Sequence, residues 1–330
     1  MLNKLKNYGI VLLLIIACTE LPAQSIPCFG EKRELRTGST MPYTKVNVGN
    51  YEGYFLLDFG TTGSTIDTNN FINGKPKPSV AAGKFDDFNF FGSWGTVFLN
   101  IQNHSQISGL THFKQAGIIG TDFLSLNIFT LDYSNHQLYR SNPAEFCADT
   151  VLIRLGFKAA STAGYYSNDL KKLNNNCTPN IPTVPVKIGT VNAVAQIDPG
   201  FDDALYRHSV NINQAFVNAL TEAGINLIPN PAANLLLSTC INNVSEPVTA
   251  YKLPKGVSFS VTGIKGNPVL VSSDVHIFLK QTPAAAKNCG GIGTWQIPAA
   301  QMAASFLYDC KKVIFDPFKS RVWFNTKSNP

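Results

Sequence analysis

The chain has 330 residues, of which 44% are hydrophobic and 15% charged, and carries a formal net charge of +6. That much apolar material is enough for a sizeable buried core and excludes a disordered chain. Its Lys and Arg are scattered rather than clustered, so the positive balance reads as a solvated surface and argues against a nucleic-acid partner.

Residues 1–23 read as a signal peptide. Lys4 and Lys6 precede a short apolar run over 10–17, followed by Pro22-Ala23-Gln24. The run is too short to remain in a bilayer as a helix. Two processing routes fit. Cleavage after Ala23 gives a secreted or periplasmic protein; alternatively Ile15-Ile16-Ala17-Cys18 makes Cys18 a lipidated first residue on the cell envelope. No later stretch is long and apolar enough for a transmembrane helix, so no membrane span is expected. Beyond Cys18, six cysteines remain: Cys28, Cys147, Cys177, Cys240, Cys289 and Cys310. In an oxidising compartment they allow up to three disulfides, with the connectivity open. Cys28 with Cys147 and Cys240 with Cys289 are two candidate pairings. There is no C-x-x-C, and the five His show no metal-ligand spacing. No metal or cofactor is expected.

Strand signals follow over 43–48, 54–57, 97–101 and 128–133, as short β-branched or aromatic runs punctuated by Gly, Asn and Pro. The run Phe90-Phe91-Gly92-Ser93-Trp94-Gly95-Thr96 between them reads as an aromatic hairpin tip. The clearest helical spacing covers 212–223, with Gly224 as a stop. Many short strands and few helices predict a mostly β fold.

An internal repeat organises these elements. In the first half, Leu56-Leu57-Asp58-Phe59-Gly60-Thr61 is followed by Ile118-Ile119-Gly120-Thr121-Asp122-Phe123-Leu124, and then by Leu131-Asp132-Tyr133. In the second half, Gln196-Ile197-Asp198-Pro199-Gly200-Phe201 is followed by Ala304-Ser305-Phe306-Leu307, and then by Phe315-Asp316-Pro317. Each half opens with a strand, a Gly turn and a second strand ending in Asp. The boundary falls in an Asn- and Ser-rich connector, 161–182, between units 24–160 and 183–330.

An Asp at the tip of an apolar strand, just before a Gly turn, is expensive unless it is satisfied or used. Gly60 and Gly200 would let a second group approach the carboxylates. Two carboxylates held side by side resist ionising together, so one pKa is expected to rise and the other to fall, giving an acid and a base. Asp58-Phe59-Gly60 also spells the kinase triplet, but no Gly-rich loop or His-Arg-Asp accompanies it. Asp86-Asp87 and Asp202-Asp203 read as solvated turns.

With these landmarks in place, the chain resembles the bilobal pepsin-like aspartic peptidases and their retropepsin-like bacterial relatives, across nearly all of its length after the leader. The resemblance implies a two-lobed acid-protease fold with a cleft between the lobes and few short helices. It makes Asp58 and Asp198 the catalytic pair, supported by Gly60, Thr61, Gly200, Ile119 and Gly120. It puts a flap at Gly92, Ser93 and Trp94. The implied activity is hydrolysis of peptide bonds in a peptide or unfolded protein. Phe59 and Pro199 stand where the family carries a bracing hydroxyl, Phe201 where it carries a second, and Ala303 near its later Gly. A catalytically inactive relative that binds a peptide or protein partner in the same cleft is the alternative.

Overall fold

Two hairpins of matching register open the two halves of the chain. Met41–Val48 pairs antiparallel with Tyr51–Leu57, with Tyr43 opposite Leu56 and Val48 opposite Tyr51. Thr183–Ile188 pairs likewise with Val191–Ile197, with Thr183 opposite Gln196 and Ile188 opposite Val191. Each turn begins on a glycine in the left-handed region, Gly49 at φ 56° and Gly189 at φ 57°. Side chains other than Gly are strained there, so the tight connection depends on these residues.

The second strand of each hairpin then gains a parallel neighbour from later in the chain. Tyr51–Leu57 lies beside Gln115–Ile119, and Val191–Ile197 beside Ala299–Met302. A computed structural model describes residues 27–79, 83–105, 113–165, 180–203, 208–239, 241 and 244–325. The leader lies outside them, as does 166–179 of the connector. Over the described residues the fold is mostly β, in several sheets. A seven-stranded sheet comes from the first half and a ten-stranded sheet from the second. A six-stranded sheet draws on both, in the order Glu31–Glu34, Gln137–Ser141, Ile128–Asp132, Lys312–Asp316, Arg321–Asn325, Phe157–Ser161. The halves meet where Ile128–Asp132 pairs antiparallel with Lys312–Asp316, and buried Asp132 accepts Lys312 Nζ at 2.7 Å.

Strand alternation sorts the first hairpin's side chains. Phe55 and Leu57 join Val46, Ile66 and Ile119 in the main core, while Tyr54 and Leu56 turn to Met41 and Tyr43 on the opposite face. The expected helix is shorter than its apolar spacing. Ile212 ends the strand Ser209–Ile212, and Asn213 caps the helix Gln214–Glu222 by accepting from Phe216 N at 3.0 Å. Gly224 follows it at φ 76°. The expected strand over 97–101 is two short pieces, Val97–Phe98 and Asn100–Ile101, because Leu99 turns into the core and donates its N–H to Gly83.

Cys28 and Cys147 form a disulfide. Cys310 is a buried free thiol, so the six cysteines do not make three bridges. Cys177 and the Cys240–Cys289 pairing fall outside the described residues and side chains. Among the described residues, no helix is long and apolar enough to cross a membrane.

Candidate active site

Asp58 and Asp198 are held by the same backbone scheme. Asp58 N donates to Ile119 O and Asp198 N to Met302 O, both at 3.0 Å. Gly60 N returns to Asp58 Oδ1 at 2.7 Å, and Gly200 N to Asp198 Oδ1 at 2.8 Å. Thr121 N donates to Thr61 O and Ala304 N to Phe201 O, both at 2.9 Å. These bonds align Phe59 with Pro199, Thr61 with Phe201, and Gly120 with Ala303.

The two loops face one another. A Cβ added to Gly60 would lie 2.5 Å from Asp198 Cγ, and one added to Gly200 would lie 2.7 Å from Asp58 Oδ2. Each glycine therefore gives the opposite half's carboxyl the space a side chain would take. The carboxyls are hydrogen-bonded to each other, and each is 8% exposed.

Burial, more than mutual repulsion, sets their ionisation. Asp58 is pushed well above the ordinary carboxylate range by burial and then by the charge of Asp198, with the Gly60 and Gly200 N–H groups pulling back. Asp198 is also raised by burial, but the hydrogen bonds from Asp58 and Gln301 restrain it. The expectation that one pKa falls is thus corrected, because desolvation acts on both. Gln301 gives Asp198 an amide donor in addition to the backbone N–H of Gly200.

Gln301 is the residue that sequence reasoning missed. Its side-chain N–H donates to Asp198 Oδ2, and its Oε1 accepts Asn211 Nδ2 at 2.7 Å. It supplies the donor that Phe201 lacks. The only signal in the sequence is a single polar residue within Ala299-Ala300-Gln301-Met302-Ala303-Ala304. Among the described residues, the Thr61 hydroxyl makes no hydrogen bond to Asp58; Thr61 contributes its carbonyl instead.

Behind the first loop, Gly120 N donates to Ser64 Oγ at 2.9 Å, while Ser64 Oγ donates to Asp122 at 2.7 Å. A Cβ on Gly120 would come within 3.0 Å of the Gly63 backbone, so the close packing of these segments requires glycine here. Ile119 is fully buried beside them. Phe59 joins the halves by another means: it is fully buried, stacked on Phe315 at 3.6 Å between centroids and set edge-on to Tyr165. Pro199 is buried and Phe201 packs near Ala233, Val248 and Phe278.

The hairpin tip carrying Gly92, Ser93 and Trp94 serves the first half's core. Phe90 stacks on Phe129, Phe91 meets the same ring edge-on, and Trp94 meets Phe123 while donating Nε1 to Phe90 O at 2.7 Å. Its aromatics are spent on that packing, while Gly92 and Ser93 are exposed at the turn. Asp202 and Asp203 are half-buried and bonded rather than solvated. Asp202 accepts Thr40 N at 2.9 Å, across the halves, and Asp203 accepts Ser209 Oγ. Tyr43 is buried nearby and donates to Gln115 at 2.9 Å; burial first, then the charges of Asp58 and Asp202, push its phenol up. Among the described residues, no group of His, Cys, Asp and Glu has the makings of a metal site.

Comparison with known proteins finds no matching family model and no matching curated protein. Among solved structures the chain is similar to the crystal structure of edgp, at 12% identity and a TM-score of 0.40, over 89% of this chain and 94% of that one.

Proposed function

We propose that the chain is an exported aspartic endopeptidase with a two-lobed, pepsin-like fold, hydrolysing peptide bonds with water activated between Asp58 and Asp198. In this reading units 24–160 and 183–330 are the lobes. Export proceeds by cleavage after Ala23 or by lipidation at Cys18. The observation that carries the reading is the reciprocal fit at the pair. Each half places a carboxyl against the glycine of the other, and the two carboxyls share a hydrogen bond in a nearly dry setting.

The chemistry follows from the asymmetry of the pair. Protonated Asp58 donates to the oxygen of the scissile carbonyl. Asp198 takes a proton from the water as its oxygen bonds to the carbonyl carbon, giving a tetrahedral diol. Collapse of the diol breaks the C–N bond as Asp198 passes its proton to the leaving nitrogen. Asp58 recovers a proton from the diol, so the pair ends with one proton, as it began. Gln301 holds Asp198 Oδ2 throughout.

A second reading, a non-catalytic cleft that binds a peptide or protein partner, is favoured by one feature. Phe59 and Phe201 spend on apolar packing the positions at which hydroxyls would order the loops. Digestion of an unfolded protein by the purified mature chain, across acidic to neutral pH, separates the two. Cleavage under acidic conditions that falls by at least about a hundredfold in both Asp58→Asn and Asp198→Asn is expected of a working pair. No cleavage by folded protein at any pH would leave the binding reading standing.

A further inference from the structure

A second cavity lies beside the edge strand of the six-stranded sheet. Between the helix Asp149–Arg154, the strand Phe157–Ser161 and the turn joining Phe259–Thr262 to Pro268–Ser272 is a cavity of 490 Å³. That is the size of a pocket for a small organic ligand. Phe157, Val269 and Trp323 form its apolar wall, and Ile153 and Ile264 stand at its border 57% and 49% exposed. Large aliphatic side chains so placed gain by being covered.

The charges around the cavity specify the polar end of what would cover them. Lys158 and Lys265 also line the cavity; they are exposed and make no ion pair among the described residues. The carboxylate in the lining, Asp149, is already engaged by Lys319 and Arg321. The unmatched charge around this apolar space is therefore positive.

We propose that this cavity binds a small amphipathic anion: an aliphatic chain over Phe157, Val269 and Trp323, with a carboxylate-type head drawn to Lys158 and Lys265. A neighbouring cavity of 380 Å³ shares Lys158, Pro268 and Val269 with this larger one and continues to Phe306. The neighbouring cavity is lined by the His208–Asp309 pair as well, so the apolar chain is assigned to the larger one, where each covered methylene should strengthen binding. The site is separate from the carboxyl pair, which lines neither cavity.

Titration of the folded mature chain with decanoate below its micelle concentration, followed by calorimetry, tests this. Saturable binding is expected, at least about tenfold tighter than for butanoate or decylammonium. Lys158→Glu with Lys265→Glu, both on exposed positions, should weaken decanoate about tenfold or more without lowering the melting temperature. Asp58→Asn should leave it unchanged. The proposal is overturned by an absence of saturable decanoate binding, by equal binding of decylammonium, by full affinity in the double lysine variant, or by loss of binding in Asp58→Asn, which would put the ligand at the carboxyl pair.

Discussion

Asp58 and Asp198 both ionise less readily in the folded chain than at the ordinary carboxylate value of 3.8. From near that value up to their raised folded values, the folded chain binds more protons than the unfolded one. The pair's contribution to stability is therefore complete below this window and is lost as pH rises through it. Asn at position 58 cannot ionise. The stability of Asp58→Asn relative to wild type should thus rise as pH increases from the ordinary carboxylate value through the raised one, with a slope approaching about 1.4 kcal/mol per pH unit. Paired thermal melts across that range would show it; a difference that stays flat would mean the pair titrates as ordinary carboxylates. Gln301 makes a second, kinetic prediction. Its hydrogen bond favours ionised Asp198, so under the proposed activity Gln301→Leu should move the acidic limb of kcat/KM upward. An unmoved limb would reduce Gln301 to packing. The aspartates and glycines could be read from the sequence because a charge at an apolar strand end, followed by Gly, is visible locally. Gln301 could not, because its partner is defined only when Ala299–Met302 pairs with Val191–Ile197 and brings residue 301 to the Asp198 loop.

At the scale of elements, the strand signals located the opening hairpins, and Asn213 explains why the helix begins after Ile212. The aromatic hairpin tip was visible as well, but composition does not say which body its rings will join. Phe90 and Phe91 meet Phe129, a contact that depends on tertiary pairing. The disulfide has the same character: Cys28 and Cys147 are 119 residues apart, and no local pattern joins them. It ties the turn Pro27–Phe29 to the segment before the helix Asp149–Arg154, over the cluster of Phe29, Leu152, Phe157 and Trp323. Closing so long a loop restricts the unfolded chain strongly. The pair Cys28→Ser with Cys147→Ser should lower stability by about 2–5 kcal/mol in urea melts. Reducing agent should have the same effect on wild type and none on the variant. A loss well under about 1 kcal/mol would mean that the apolar cluster alone holds this end of the sheet.

At the scale of the molecule, the repeat told where each half begins and which landmarks correspond, but not how the halves are joined. Pairing of Ile128–Asp132 with Lys312–Asp316, and of Phe157–Ser161 with Arg321–Asn325, is long-range and leaves no periodic mark in either segment. These pairings bear on folding. Two strands from the first half have second-half strands as neighbours in one continuous sheet, Phe59 stacks on Phe315, and Asp132 is buried against Lys312. Residues 24–160 expressed alone would expose two strand edges and leave Asp132 without its cation. That segment should therefore aggregate or stay unfolded instead of forming a stable lobe. The intact chain should unfold in one calorimetric transition, with calorimetric and van't Hoff enthalpies agreeing. Two resolved transitions, together with a folded isolated segment 24–160, would mean that the shared sheet is a docking surface between independent units. In that case the geometry at Asp58 and Asp198 would depend on docking rather than on folding.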